Sequence, residues 1–195
     1  FEGNAGKVSG VRLADDTRVD CDLLLVGIGA IPNDELARAA GIKCQNGVLV
    51  DLDGRTSVPD VFAIGDVTLR PLPLYDRLCR LESIPNAMEQ AKRAAGAISG
   101  RPAPADELPW FWSDQYDVKL QIAGIPFDAD QVVLRGSLES GRCTVFHLRG
   151  DRIRAAEVLN SPSDFLAAKK LIAAGSTINV SQLSDPAIPV MSAAA

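Results

Sequence analysis

The second half of this 195-residue chain limits the fold more tightly than any other feature. Residues 118–123, 131–135, 142–148 and 152–159 read as four short strands joined by short turns. A parallel pair needs a crossover of about a dozen residues or more, so these strands are expected to pair antiparallel. Ser161 then precedes Pro162 and Asp164: an N-cap, a proline at the first helical position, and an acidic partner three residues on. This predicts a helix through Ala174, ended by Gly175. Strands followed by a helix make a small α+β domain. Residues 184–195 show no periodicity.

The first half has a different pattern. Residues 7–13 alternate and then meet Asp15-Asp16-Thr17, a turn signal. Leu23-Leu24-Leu25-Val26-Gly27-Ile28-Gly29 is continuously apolar, as suits a central strand covered on both faces. Asn33 or Asp34 opens a short helix through Ala40, stopped by Gly41. Residues 47–51 and 61–64 read as small strands, the second ending in Gly65-Asp66, and 70–76 as a Pro-rich loop. A long helix over 85–99 has proline near its first turn and Gly100 after its end. Residues 101–105, Arg-Pro-Ala-Pro-Ala, form the best linker candidate.

Composition excludes several classes. At 47% hydrophobic and 23% charged the chain can bury real cores. A net charge of −5 argues against nucleic acid, which wants clustered cations on a basic background. No apolar run of ~18 residues is present, so no membrane span is expected. The start, Phe1-Glu2-Gly3-Asn4, lacks an initiator Met and a signal pattern and reads as the middle of a longer chain. Cys21, Cys44, Cys79 and Cys143 stand far apart with no C-x-x-C, so neither a redox dithiol nor a metal site is indicated. They read as reduced thiols of a cytoplasmic protein. His147, among Thr144, Phe146 and Leu148, reads as a half-exposed strand residue.

Two stretches carry chemistry. Thr56-Ser57-Val58-Pro59-Asp60-Val61-Phe62-Ala63-Ile64-Gly65-Asp66 places a carboxylate at the C-terminal edge of a strand, where open α/β sheets bind ligands. Gly65 lets backbone approach a ligand, and Asp66 can accept hydrogen bonds from a polyol. An ordinary strand followed by a turn is the plainer alternative. Arg80-Leu81-Glu82-Ser83-Ile84-Pro85-Asn86-Ala87 opens the long helix, whose N-terminus carries roughly +0.5 charge and unpaired N–H groups. Such an end can stabilise an electron-rich carbonyl, although an amphipathic core helix would begin the same way.

These strings, with Trp110-Phe111-Trp112-Ser113-Asp114-Gln115-Tyr116 downstream, resemble the FAD-dependent NAD(P)H:ferredoxin reductases of oxygenase systems. That family is putidaredoxin reductase-like and belongs to the pyridine nucleotide-disulfide oxidoreductase superfamily. The likeness covers almost the whole chain. It implies an α/β chain: the end of a NAD-binding Rossmann-like domain (1–31), then the returning half of an FAD-binding domain (32–103). An α+β C-terminal domain with an antiparallel sheet (104–181) and a tail (182–195) would follow. It implies FAD and NAD as cofactors and no catalytic acid, base or nucleophile. Asp66 would bind the FAD ribityl chain, with Gly65 giving it room. Ser83, Ile84 and Pro85 would face the pyrimidine edge of the flavin, and Glu82 the nicotinamide. Gly29 would border the dinucleotide. Trp112 would sit near both flavin and docking surface, although alternating aromatics entering a sheet also serve as packing. Lys92, Arg93 and Lys119 would help dock an acidic [2Fe-2S] ferredoxin, or simply form a solvated face. Dioxygenase-type members usually carry Trp where Ile84 stands, so the resemblance points to a cytochrome P450-type monooxygenase system.

The chain lacks both G-x-G-x-x-G loops that the family carries, so the pyrophosphates have no helix N-terminus to sit on. Alone it is expected to bind neither cofactor well and to need the N-terminal half of the same reductase. Exposed sheet edges make a homo-oligomer a further expectation. A rubredoxin- or nitrite-reductase-type reductase, or a non-catalytic docking or assembly module, stays open beside the main reading.

Overall fold

A three-stranded antiparallel meander opens the chain: β1 (Glu2–Asn4), β2 (Lys7–Arg12) and β3 (Arg18–Asp20). Thr17 N–H donates to Asp15 Oδ1 at 3.0 Å and closes the second turn. Arg12 Nε and Arg18 Nε both donate to the Glu2 carboxylate, at 2.9 and 2.8 Å. Arg18 first and Arg12 second hold the Glu2 carboxyl below its usual range. The computed structural model describes all residues 1–195 and divides them into two compact units, Phe1–Ile31 and Pro32–Ala195. The expected strand over 23–29 is not formed: the run has no ladder partner, and Leu25 and Ile28 are 91% and 92% exposed. An apolar pattern marks a strand's faces, but the strand itself requires a neighbour for its N–H and C=O groups.

In the second unit, α1 (Glu35–Ala39) follows Asp34, whose carboxylate takes Arg38 Nε and Nη2 at 2.7 and 2.8 Å and Gly47 N–H at 3.2 Å. β4 (Val48–Leu49) runs parallel to β5 (Thr68–Leu72), which pairs antiparallel with β6 (Arg77–Cys79). Residues 61–64 are extended but make only one bridge, Phe62 to Arg55, rather than the expected strand. Residues 70–76 are a strand and a single 3-10 turn (Pro73–Tyr75) rather than a loop. Pro71 is tolerated in β5 because β4 pairs only with Thr68 and Leu69, so at Pro71 the strand has a neighbour on one side alone. α2 (Ile84–Ile98) begins at Ser83, whose hydroxyl accepts the Asn86 N–H at 3.3 Å. Residues 101–105 are exposed and irregular.

The rest of the unit is a five-stranded antiparallel sheet in the order β7-β8-β11-β10-β9. Its strands are β7 (Trp110–Gln115), β8 (Val118–Gly124), β9 (Gln131–Ser137), β10 (Arg142–Arg149) and β11 (Arg152–Leu159). The sequence reading counted four and missed β7, whose aromatics alternate. α3 (Pro162–Ala174) lays Phe165, Ala168, Leu171 and Ile172 against Phe146, Leu148, Ala156 and Val158. Each such large apolar side chain contributes about 1.5–3 kcal/mol on burial. Gly175, at φ +60, ends α3 as Gly175 and Ser176 N–H turn back to Ile172 and Leu171 C=O. The residues read as a tail complete this core: α4 (Val180–Ser184) and a 3-10 turn (Val190–Ala193) bury Leu183, Val190 and Ala193. Their small apolar residues carry no periodicity because each touches the core once.

One side chain joins the strand pair β5–β6 to the large sheet. Tyr75 Oη donates to Arg154 C=O at 2.9 Å and accepts the Ile125 N–H at 2.8 Å. Only glycine fits beside it: a Cβ on Gly124, φ +73, would lie 2.2 Å from Arg154 O and 2.7 Å from the Tyr75 hydroxyl.

Candidate functional site

Gly65 and Asp66 form a single 3-10 turn, Gly65–Val67, between the extended residues 61–64 and β5. Gly65 has φ +81, a left-handed value that puts the exposed Asp66 on the outside of the turn. The Gly65 N–H donates to Gln90 Oε1 on α2 at 3.2 Å. Arg80 binds the same turn from the other side: its Nη1 donates to Asp66 C=O at 3.4 Å and pairs with Glu82. The Gly65-Asp66 turn and the segment Glu82–Pro85 are therefore neighbours. Ser83 caps α2, while Ile84 stands 64% exposed at its first position and Pro85 is half-buried. An exposed isoleucine at a helix N-terminus, where partial positive charge collects, offers an apolar contact beside a favourable field.

Next to this segment lies a cleft of about 340 Å³, lined by Cys79–Ser83 on one side and Pro109, Trp110, Phe111, Ile122 and Phe127 on the other. Burial pushes the Cys79 thiol up, with Arg77 and Arg80 only partly offsetting it, so it stays protonated near neutral pH. Trp112 stacks on Trp110 with ring centroids 5.4 Å apart, and Trp110 in turn packs on Phe165. Trp112 is half-exposed on β7 and does not line the cleft; Trp110 and Phe111 do.

The buried face of α2 is polar. Arg70 pairs with Glu89, Glu89 accepts Arg93 Nε at 2.8 Å, and Arg93 pairs with Asp106 and lies 3.7 Å from Asp53. Asn86 Oδ1 accepts Arg70 Nη1 at 3.2 Å. This overturns one expectation. Arg93 is 3% exposed and its guanidinium is occupied within the fold, so it presents no charge to a docking protein. Lys92, one position on, is exposed, as is Lys119, which stands opposite Asp114 across β7–β8. Gly29, φ +94 and exposed, belongs to the other unit.

Sequence reasoning missed Thr68, Arg70, Arg80 and Gln90. A signal was present on α2: Asn86, Glu89, Gln90 and Arg93 recur at i, i+3, i+4, i+7, the spacing that marks a buried helix face. A polar stripe at that spacing predicts a buried network rather than a solvated side.

Two regions of the chain match known protein families. Residues 1–91 match the family described as pyridine nucleotide-disulphide oxidoreductase, and residues 110–194 match the reductase C-terminal family. The chain belongs to the pyridine nucleotide-disulphide oxidoreductases that carry this C-terminal domain. Within them it is similar to ferredoxin reductases. It is 51% identical over 191 residues to the "probable ferredoxin reductase CtmF" of Castellaniella defragrans, covering 97% of this chain and 47% of that one. It is 41% identical over 185 residues to putidaredoxin reductase CamA of Pseudomonas putida, covering 94% and 44%. The crystal structure of a covalent putidaredoxin reductase–putidaredoxin complex superimposes with a TM-score of 0.91 at 39% identity, covering 97% of this chain and 46% of that one. The chain thus spans a little under half the length of these relatives.

The family works with FAD and NAD(P)H, and the residues present fit one part of FAD. A carboxylate on a left-handed glycine turn suits a polyol. The exposed Ile84 at a capped helix N-terminus suits the edge of an aromatic ring with a carbonyl. No helix is long and apolar enough to cross a membrane.

Proposed function

We propose that this chain is the C-terminal part of an FAD-dependent NADH:ferredoxin oxidoreductase that supplies electrons to an oxygenase through a [2Fe-2S] ferredoxin. The observation that carries this reading is the junction of the Gly65-Asp66 turn with the N-terminus of α2 through Arg80 and Gln90. FAD, where bound, would supply the conversion between a two-electron hydride donor such as NADH and a one-electron carrier. Asp66 accepts hydrogen bonds from the ribityl hydroxyls. The N-terminus of α2 places its partial positive charge at the pyrimidine edge, which favours electron density there. Glu82 stands toward the nicotinamide, and Gly29 borders the dinucleotide. Trp110 and Phe111 give the cleft beside Ser83 an apolar wall. Lys92 and Lys119 offer charge to an acidic partner, and Trp112 an aromatic surface. No proton needs to be moved by a side chain.

The exposed run at 23–31 and the lack of both glycine-rich phosphate loops fit a chain that completes sheets begun in an N-terminal half of the same reductase. Four free thiols suit the cytoplasm. A cytochrome P450-type oxygenase is the narrower reading, resting on Ile84. In the full-length flavoprotein, Asp66→Ala is expected to lower FAD content after gel filtration, read from visible absorption; unchanged content overturns the polyol role. Lys92→Glu is expected to slow ferredoxin reduction about tenfold while sparing NADH oxidation with a small dye. Equal loss in both assays removes Lys92 from the docking surface.

A further inference from the structure

Asp66 can meet a polyol only if the two peptides flanking Gly65 hold one orientation, and Gly65 is the residue with the widest backbone freedom in the turn. Both of its polar groups are held. Gly65 N–H donates to Gln90 Oε1 at 3.2 Å, and Gly65 C=O lies 2.8 Å from Thr68 Oγ1, which is also 2.9 Å from Gln90 Oε1. The Thr68 hydroxyl has one hydrogen, so it serves one of these two oxygens at a time. Gln90 is 2% exposed and Thr68 fully buried, so water does not compete.

This arrangement carries a defect. Gln90 Nε2 is buried with no hydrogen-bond partner. Turning the amide over would set its N–H against the Gly65 N–H, donor against donor. The fold therefore keeps an orphaned donor in order to keep an acceptor on Gly65. Methionine would fill the same space without the Nε2 orphan but would take the acceptor away from Gly65 N–H, and a buried unsatisfied group that persists calls for a reason outside packing.

We infer that Gln90, with Thr68, is a positioning residue: together they fix the backbone on both sides of Gly65 so that Asp66 is presented to the FAD polyol. The inference rests on the polyol role proposed above for Asp66. Gln90 stands six residues beyond Ile84, about 9 Å along the α2 axis. One rigid helix thereby sets both the contact at the flavin edge and the contact at the polyol.

The test measures FAD dissociation constants by fluorescence quenching, with apo-protein thermal midpoints, for the full-length flavoprotein and for Gln90→Met, Asp66→Ala and the double variant. Gln90→Met is expected to raise Kd about tenfold, and the double variant to bind no more weakly than Asp66→Ala alone. Thr68→Val, which removes the hydroxyl at constant volume, should show the same coupling at smaller size and serves if Gln90→Met fails to fold. Losses that multiply in the double variant, or an unchanged Kd in the single ones, overturn the positioning role. A structural role would lower the midpoint without coupling to Asp66. Asp66→Ala alone tests the underlying reading: an unchanged Kd there removes the polyol contact and the positioning role together. A strong loss there with multiplying losses removes only Gln90.

Discussion

α2 and α3 open and close alike and are built inside out from each other. Each follows a serine, carries a proline in its first turn and stops at a glycine with positive φ, Gly100 or Gly175. α3 buries Phe165, Ala168, Leu171 and Ile172 and is held by carbon. α2 buries Asn86, Glu89, Gln90 and Arg93 and leaves Ile84, Met88 and Ile98 in solvent. A helix held by paired charges has its residues fixed by partners in other elements, here Arg70, Asp106 and Gly65. α3 answers mainly to volume, with a single polar tie in its first turn where Asp164 accepts Arg135 Nε at 3.2 Å and Thr144 Oγ1 at 3.1 Å. The difference separates a helix whose residues are tied to the candidate site from one that closes a core.

The largest expected effect breaks the charged interior. Glu89→Ala leaves Arg70 and Arg93 buried together without their shared carboxylate and should cost about 4 kcal/mol in urea denaturation. Replacing Arg70, Glu89 and Arg93 together by apolar residues should recover most of that loss; failure to recover would mean that the contrast is not one of charge balance. Next, Leu171→Ala in α3 should cost about 3 kcal/mol through transfer and cavity terms, with FAD affinity of the full-length protein unchanged. A weakened FAD affinity in that variant would erase the division of labour between the helices. The smallest effect compares the caps. Ser83→Ala should cost about 1 kcal/mol in thermal denaturation, because its hydroxyl holds the Asn86 N–H. Ser161 makes no side-chain cap bond, so Ser161→Ala should cost no more than a few tenths. Equal losses would show that the two helix starts are alike after all.

The sequence made the C-terminal sheet legible because each of its strands finds a partner a short turn away, so local pattern and final pairing coincide. α3 was legible for the same reason: Ser161-Pro162 and Gly175 are local signals. The run at 23–29 forms no strand in this chain because its pattern speaks of covered faces while no strand beside it completes a ladder. Residues 184–195 are the opposite case, since Val190 and Ala193 are buried by tertiary contact without repeating. At the candidate site, the Gly65-Asp66 turn and the Ser83-Ile84-Pro85 helix start were readable from residue type. Arg93 was misplaced because charge alone suggests solvent. Arg80 and Gln90 were invisible because their partners lie 14 and 25 residues away.

The Tyr75 hydroxyl has a consequence for the order in which the chain assembles. β8 and β11 end their register at Gly124 and Ala155, and the next rung, from Ile125 N–H to Arg154 C=O, passes through a phenol rather than directly. That rung joins residues 79 apart in sequence at Arg154. Hairpins close first because their loops are short, and distant contacts wait for larger losses of chain entropy. The sheet can thus zip from β9, β10 and β11 outward, but its corner at Gly124 locks only once residues 70–79 have arrived. Tyr75 is a late fastening, made after both of the pieces it joins have taken shape.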